Sequence, residues 1–230
     1  MEYLSNIELY YSSPENFSND IIILEGEDFS HAVKVMRHHE GEEIYVTNGQ
    51  GKIFKCEIES VKKNFINLIE KHCYTYENKL EKINFCLPKL KSADRFEFAL
   101  EKCVELGITN FLVYDADREV ARGNKLERWN KIALSAMKQS LRSFLPKVNA
   151  AGRLSEAVKH EGKKYVFDQG SKIEFKSIIK NYSEDSYFFF GPEGGLSEKE
   201  FGYFVENEIY RLTENRLRSE TAIIVCATLL

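Results

Sequence analysis

Phe188, Phe189 and Phe190 run directly into Gly191-Pro192-Glu193-Gly194-Gly195, and Leu196 leads on to Ser197-Glu198-Lys199-Glu200. An apolar strand therefore breaks into a glycine-rich turn, and Ser197 with Glu200 makes a capping box that starts a helix. Three glycines around one proline let the backbone turn sharply and let a ligand approach it closely. Taken alone, such a loop is as often an ordinary strand-to-helix connection as a ligand site.

A second stretch changes that balance. Leu217-Arg218-Ser219-Glu220-Thr221-Ala222 precedes a final run, residues 223–230, that is apolar almost all round. A helix with no polar face is expected to be buried.

Between residues 7 and 70 the chain carries short β-type runs at 21–24, 43–46, 52–58 and 65–69, with one helix at 28–37. Gly41 and Asn48-Gly49-Gln50-Gly51 divide the strands, and this pattern predicts a small β-barrel with hairpins. Gly49 and Gly51 read as a hairpin turn rather than a nucleotide loop, because a strand follows them directly. From residue 75 the period changes. Strands at 83–87, 111–114, 164–167, 187–190 and 208–212 alternate with helices at 92–106, 125–141 and 198–205 and with the final helix, which predicts a mostly parallel α/β sheet. Gly107 is placed to cap the first of these helices. The polar residues 74–79 mark the boundary, giving domains at 1–74 and 75–230. In an open α/β sheet, ligands bind beyond the carboxyl ends of the strands, here Phe167-Asp168-Gln169-Gly170, residues 191–195 and residues 212–217.

The five cysteines, Cys56, Cys73, Cys86, Cys103 and Cys226, have no CxxC spacing and read as reduced core residues. The amino terminus lacks a signal-peptide pattern and no apolar run reaches membrane length, so a cytoplasmic protein with no membrane partner is expected. The five histidines show no ligand spacing, and no metal is expected. Hydrolase elbows and Walker loops are absent. A net charge of −4 argues mildly against a polyanion partner. Basic residues nevertheless cluster at 89–91, 118–128, 138–147 and 211–218, enough for one basic face on an acidic body.

The two motifs, in this order near the carboxyl end, resemble those of the SPOUT (trefoil-knot) RNA methyltransferases. Gln139-Ser140-x-Arg142-x-x-x-Pro146 and His31-x-x-x-Val35-Met36-Arg37 extend the likeness over nearly the whole chain, and within the superfamily it resembles the RsmE family of small-subunit ribosomal RNA uridine-N3 methyltransferases. The resemblance implies a C-terminal α/β trefoil-knot methyltransferase domain behind an N-terminal PUA-like β-barrel. It implies S-adenosylmethionine as co-substrate, held by Phe167, Gly191, Pro192, Glu193, Gly194, Gly195, Leu212, Leu217 and Thr221. His31, Arg37, Gln139, Ser140 and Arg142 are implied to contact ribosomal RNA, and two chains are implied to pack as a homodimer through the knot region, burying the final helix.

Methyl transfer to a uridine N3 requires loss of the N3 proton, which spreads negative charge onto the flanking carbonyls. A fixed guanidinium there stabilises the reaction more as it proceeds. Arg142 and Arg218 are the candidate catalytic residues; the alternative for Arg218 is a structural pairing with Glu220 or Glu214. The chain departs from the family pattern at Thr213, which replaces a loop glycine and is expected to narrow the pocket or reshape the backbone, and at Leu141, where the family often has glycine. Two other readings stay open: a trefoil-knot enzyme acting on another RNA position, such as a ribose hydroxyl, and a non-catalytic RNA-binding or ribosome-assembly factor with the same fold.

Overall fold

The computed structural model describes residues 4–18, 21–118, 123, 125–177 and 182–230. The first three residues of the amino terminus and Arg122 of the basic cluster at 118–128 lie outside the described residues. Contacts group the chain into two units, Met1–Lys79 with Met137–Leu145, and Leu80–Ala136 with Pro146–Leu230.

In the first unit, β1 (Leu9–Tyr11), β2 (Phe17–Ser18) and β3 (Ile21–Glu25) are followed by α1 (Gly26–Ser30), and then by β4 (Glu43–Thr47), β5 (Lys52–Val61) and β6 (Phe65–Thr75). The sheet order is β1-β4-β5-β6-β3-β2, antiparallel except for β1 beside β4. Alternate residues face one side of each long strand, so Ile22, Leu24, Ile44, Val46, Phe54, Cys56, Ile58, Ile66 and Leu68 meet in one core with Tyr10 and Phe29. Ser12 Oγ donates to the Ile23 carbonyl at 2.6 Å, tying the chain after β1 to β3 across the sheet order. This is the PUA-like barrel expected from the sequence. α1 continues into a π-helical turn at His31–Val35, so the helix expected at 28–37 is real but irregular.

The second unit contains β7 (Ile83–Pro88), α2 (Ala93–Glu105), β8 (Asn110–Asp115), most of α3 (Leu126–Gln139), β9 (Lys147–Arg153), α4 (Leu154–Ala157), β10 (Lys163–Phe167), β11 (Ser186–Phe189), α5 (Glu198–Phe201), β12 (Ile209–Tyr210) and α6 (Ser219–Thr228). All six strands are parallel, in the order β12-β10-β11-β7-β8-β9. β7 and β11 are buried along almost their whole length, as a sheet covered on both faces requires. Ser92 caps α2, and Gly107 follows it with φ +102°.

Two expectations needed correction. α5 ends at Phe201 rather than running to 205, with Gly202 as its C-cap, and β12 spans two residues because the Arg211 N–H bonds the Ile173 carbonyl instead of extending the strand. Within this single chain α6 is covered on one side only. Glu220, Ile223, Cys226 and Ala227 face the core, Thr221 and Thr228 are exposed, and Ile224 and Val225 are half-buried. All five cysteines are free; burial pushes the Cys56 thiol up to about 12 and drives Cys86 and Cys103 up as well, so these three stay protonated and unreactive. No helix among the described residues is long and apolar enough to cross a membrane.

Candidate active site

The parallel register sets the site. Val166 of β10 pairs with Phe189 of β11 and with Ile209 of β12, and Phe189 pairs with Cys86 of β7, so the carboxyl ends of four adjacent strands open on one edge. A cleft of about 770 Å³ lies there, within the second unit. Phe167, Gly191, Pro192, Glu193, Gly194, Gly195, Leu212, Leu217 and Arg218 line it, together with Asp168, Gln169, Phe190, Arg216, Ser219 and Ala222. Thr221 is exposed on α6 and is not among the lining residues.

The loops are braced against one another. Ser219 Oγ donates to the Gly191 carbonyl, so the first turn of α6 holds the glycine loop. Gln169 Nε2 donates to the Thr213 and Glu214 carbonyls at 3.2 and 2.9 Å, joining the β10 loop to the β12 loop. The Lys91 N–H donates to both Glu193 carboxylate oxygens, at 3.1 and 3.3 Å, so Glu193 fixes the glycine loop to the segment before α2. Behind the loop, Ser197 and Glu200 make both halves of the capping box, and Glu200 also accepts from the Asp117 N–H at 2.9 Å. Phe167 and Phe190 stack with centroids 5.1 Å apart, giving the cleft a flat apolar wall.

Gly195 holds φ +69° with nothing within 4 Å of where a Cβ would stand. Replacing it by alanine is therefore a test of conformation alone. Gly195→Ala is expected to destabilise the unit by about 1–2 kcal/mol, and Gly195→Asn by less, both read from urea unfolding. Thr213, by contrast, needs no glycine: its backbone is not left-handed, its hydroxyl donates to the Asn215 carbonyl at 2.8 Å, and it does not line the cleft. The expected narrowing does not occur.

Arg218 is the N-cap residue of α6 and lines the cleft with no acidic partner among the described residues. Glu220 is instead turned to Arg95, whose Nε lies 3.6 Å from Glu220 Oε1. Arg95, in the first turn of α2, also lines the cleft. No motif marked it in the sequence. The signal that would have found it is topological: α2 follows β7, whose carboxyl end opens on the same edge.

The remaining sequence candidates lie in the first unit. His31 Nε2 is 3.1 Å from Glu8 Oε1. Arg37 is exposed and holds φ +60°. Gln139, Ser140 and Arg142 end α3 in a Schellman turn, with the Arg142 N–H donating to the Met137 carbonyl at 2.9 Å and the Leu141 N–H to the Lys138 carbonyl at 3.1 Å. Leu141 adopts φ +55° to close that turn, where glycine would do so without strain. The segment then packs on the β4–β5 hairpin: the Gly51 N–H donates to the Ser143 carbonyl at 2.8 Å and the Leu145 N–H to the Gly49 carbonyl at 2.9 Å.

Residues 77–230 match the family described as RNA methyltransferase domain, and residues 24–71 the family described as RNA methyltransferase PUA domain. The class is thus that of the PUA-bearing RNA methyltransferases. The chain is 32% identical to ribosomal RNA small subunit methyltransferase E of Bacillus subtilis over 86% of its length and 84% of the relative's. It is 28% identical to the Aquifex aeolicus protein of the same name, over 97% and 99% of the two chains. The crystal structure of the Neisseria gonorrhoeae ribosomal RNA small subunit methyltransferase E bound to S-adenosyl methionine superposes with a TM-score of 0.85 at 27% identity, covering 97% of this chain and 96% of that one. This chain belongs to the RsmE family of the SPOUT superfamily.

Proposed function

We propose that this protein methylates N3 of a uridine in small-subunit (16S) ribosomal RNA, with S-adenosylmethionine as the methyl donor. The observation that carries the reading is the braced cleft at the strand ends, which gathers both family motifs around an arginine, Arg218, that no acid among the described residues neutralises. The cleft suits the donor in three ways. Its stacked wall of Phe167 and Phe190 offers a flat apolar face to a purine, the glycine loop presents backbone with few side chains in the way, and the volume exceeds the need of one nucleoside. The donor supplies an electrophilic methyl group on a sulfonium.

The protein's own residues do the rest. Phe167, residues 191–195, Leu212 and Leu217 hold the donor. Arg218 faces the uracil carbonyls beside N3 and stabilises the charge that appears when the N3 proton passes to water, after which N3 takes the methyl group and S-adenosylhomocysteine leaves; Arg142 is the second candidate for stabilising that charge. N3 lies on the Watson–Crick edge, so the target uridine is unpaired when it reacts, and holding the two reactants in line supplies much of the rate. His31, Arg37, Gln139 and Ser140 contact the RNA. The protein acts in the cytoplasm.

It does so as a homodimer. Thr221, Ile224, Val225 and Thr228 fall on one partly uncovered stripe of α6 at helical spacing, and a second copy would cover it. Ile224→Glu places a charge on that stripe and is expected to give a folded monomer by light scattering; a variant that remains dimeric would remove the stripe from the interface.

Nucleoside mass spectrometry tests the reaction. Small-subunit ribosomal RNA from cells lacking this protein should have lost 3-methyluridine, and the purified protein with S-adenosylmethionine should restore it. An unchanged 3-methyluridine level would sink the assignment. A missing methyl group at a ribose hydroxyl would shift the target within the same fold.

A further inference from the structure

Among the described residues, Arg95 is the cleft-lining arginine with an ion-pair partner. Glu220 is only 8% exposed, and its Oε2 is buried without a hydrogen-bond partner. Such a carboxylate is tolerated only beside a fixed positive charge. Arg95 supplies that charge as an ion pair, Nε lying 3.6 Å from Glu220 Oε1, while its guanidinium has no hydrogen-bond acceptor among the described residues and lines the cleft. An arginine whose ion pair lies on its Nε side keeps its outer two nitrogens as a fork, the geometry that matches two oxygens of one anion. Arg216 and Arg218 also line the cleft and have no such ion pair among the described residues.

Resting on the methyl-transfer reading above, we infer that Arg95 is an anion-binding residue of this cleft, and that Glu220 is its positioning residue. The ligand chemistry is a planar pair of anionic oxygens. Two sources meet that description: the carboxylate at the amino-acid end of the methyl donor, and a backbone phosphate of the RNA. Glu220 thereby has a task in the Leu217–Ala222 motif distinct from the charge stabilisation given to Arg218: it sets the direction of a residue on a different helix, α2.

Calorimetric titration of the full chain separates these sources. The probes are S-adenosylhomocysteine, which carries the carboxylate, and 5′-methylthioadenosine, which lacks the whole amino-acid end. If the carboxylate is the partner, Arg95→Ala weakens S-adenosylhomocysteine by about tenfold or more and leaves methylthioadenosine within about twofold. Arg95→Lys restores part of the loss, because a point charge replaces the fork. If a phosphate is the partner, both nucleosides bind as before, small-subunit ribosomal RNA binds more weakly, and the slope of log affinity against log salt falls by about one. In either case Glu220→Gln reproduces the same pattern at smaller size, whereas a merely structural role would weaken both nucleosides alike. Equal weakening of the two nucleosides, or no change with any probe, overturns the inference. Failure of the unaltered protein to bind S-adenosylmethionine or S-adenosylhomocysteine instead overturns the methyl-transfer reading itself.

Discussion

Arg218→Ala is expected to lower the single-turnover methylation rate by about 100- to 1,000-fold, the usual loss when one fixed donor to a developing oxyanion is removed. The dissociation constant of S-adenosylmethionine is expected to move less than about threefold, because the interaction forms with the reacting base and not with the donor. Two observations support a change of this size. Arg218 lines a cleft with one apolar wall, Phe167 stacked on Phe190, and a base bound beside that wall would shield the guanidinium from solvent. Among the described residues it also has no carboxylate partner, since Glu220 is paired with Arg95 and no ion pair links Glu214 to it. Arg218→Lys is expected to recover part of the rate, keeping the charge but losing the planar fork that can reach two atoms at once. Rapid-quench measurement with saturating donor and RNA reads the effect directly. An alanine variant with the rate of the unaltered protein would take Arg218 out of the chemistry, and a variant that lost donor affinity in proportion to rate would make it a binding residue instead.

What the sequence made legible follows the strength of its local patterns. β3, β4, β7, β8, β10 and β11 alternate or run apolar over four or more residues, and each lies where periodicity places it. β1 and β2 are too short to show a period. β9 hides for another reason: it is an edge strand in which Val148 alone is buried, so Lys147, Asn149 and Arg153 read as loop. Within the site, the loops carried their own signals in glycine, proline and capping residues. The pairing of Arg95 with Glu220 did not, because it joins α2 to α6 across the fold and nothing local in either segment specifies it. Leu141 shows the converse. A leucine stands where the family often has glycine, and here the Schellman turn forms with the leucine in the left-handed conformation that the turn demands. Gly49 and Gly51 were read as a hairpin turn, and they are one. Their second task, accepting the chain at 143–145, depends on residues far along the sequence and was not visible there.

That second task gives Gly51→Ala an expected effect well beyond a turn substitution. Gly51 has φ +90°, and a Cβ there would stand 2.5 and 2.8 Å from the Phe144 ring and 3.1 Å from the Tyr76 carbonyl oxygen. Gly41 provides a matched control in the same unit, with φ +88° and nothing within 4 Å. Both alanines strain the backbone by about 1–2 kcal/mol, since both force an L residue into left-handed space. Only Gly51→Ala must also push Phe144 aside, and overpacking of that kind adds about 1–3 kcal/mol. The clash is relieved most readily by releasing residues 143–145, which would break the Gly51–Ser143 and Leu145–Gly49 backbone hydrogen bonds. Gln139, Ser140 and Arg142 immediately precede that anchor, so they would lose their fixed position with it. Hydrogen exchange is expected to show faster exchange at the Leu145 amide in Gly51→Ala and none of that change in Gly41→Ala. Methylation of RNA should fall in the first variant and persist in the second, while S-adenosylmethionine binds both as before, because the cleft is lined wholly by residues of the other unit. If the two alanines cost the same stability and leave the Leu145 amide equally protected, the hairpin glycines serve the turn alone, and the Gln139–Arg142 segment owes its position to something else.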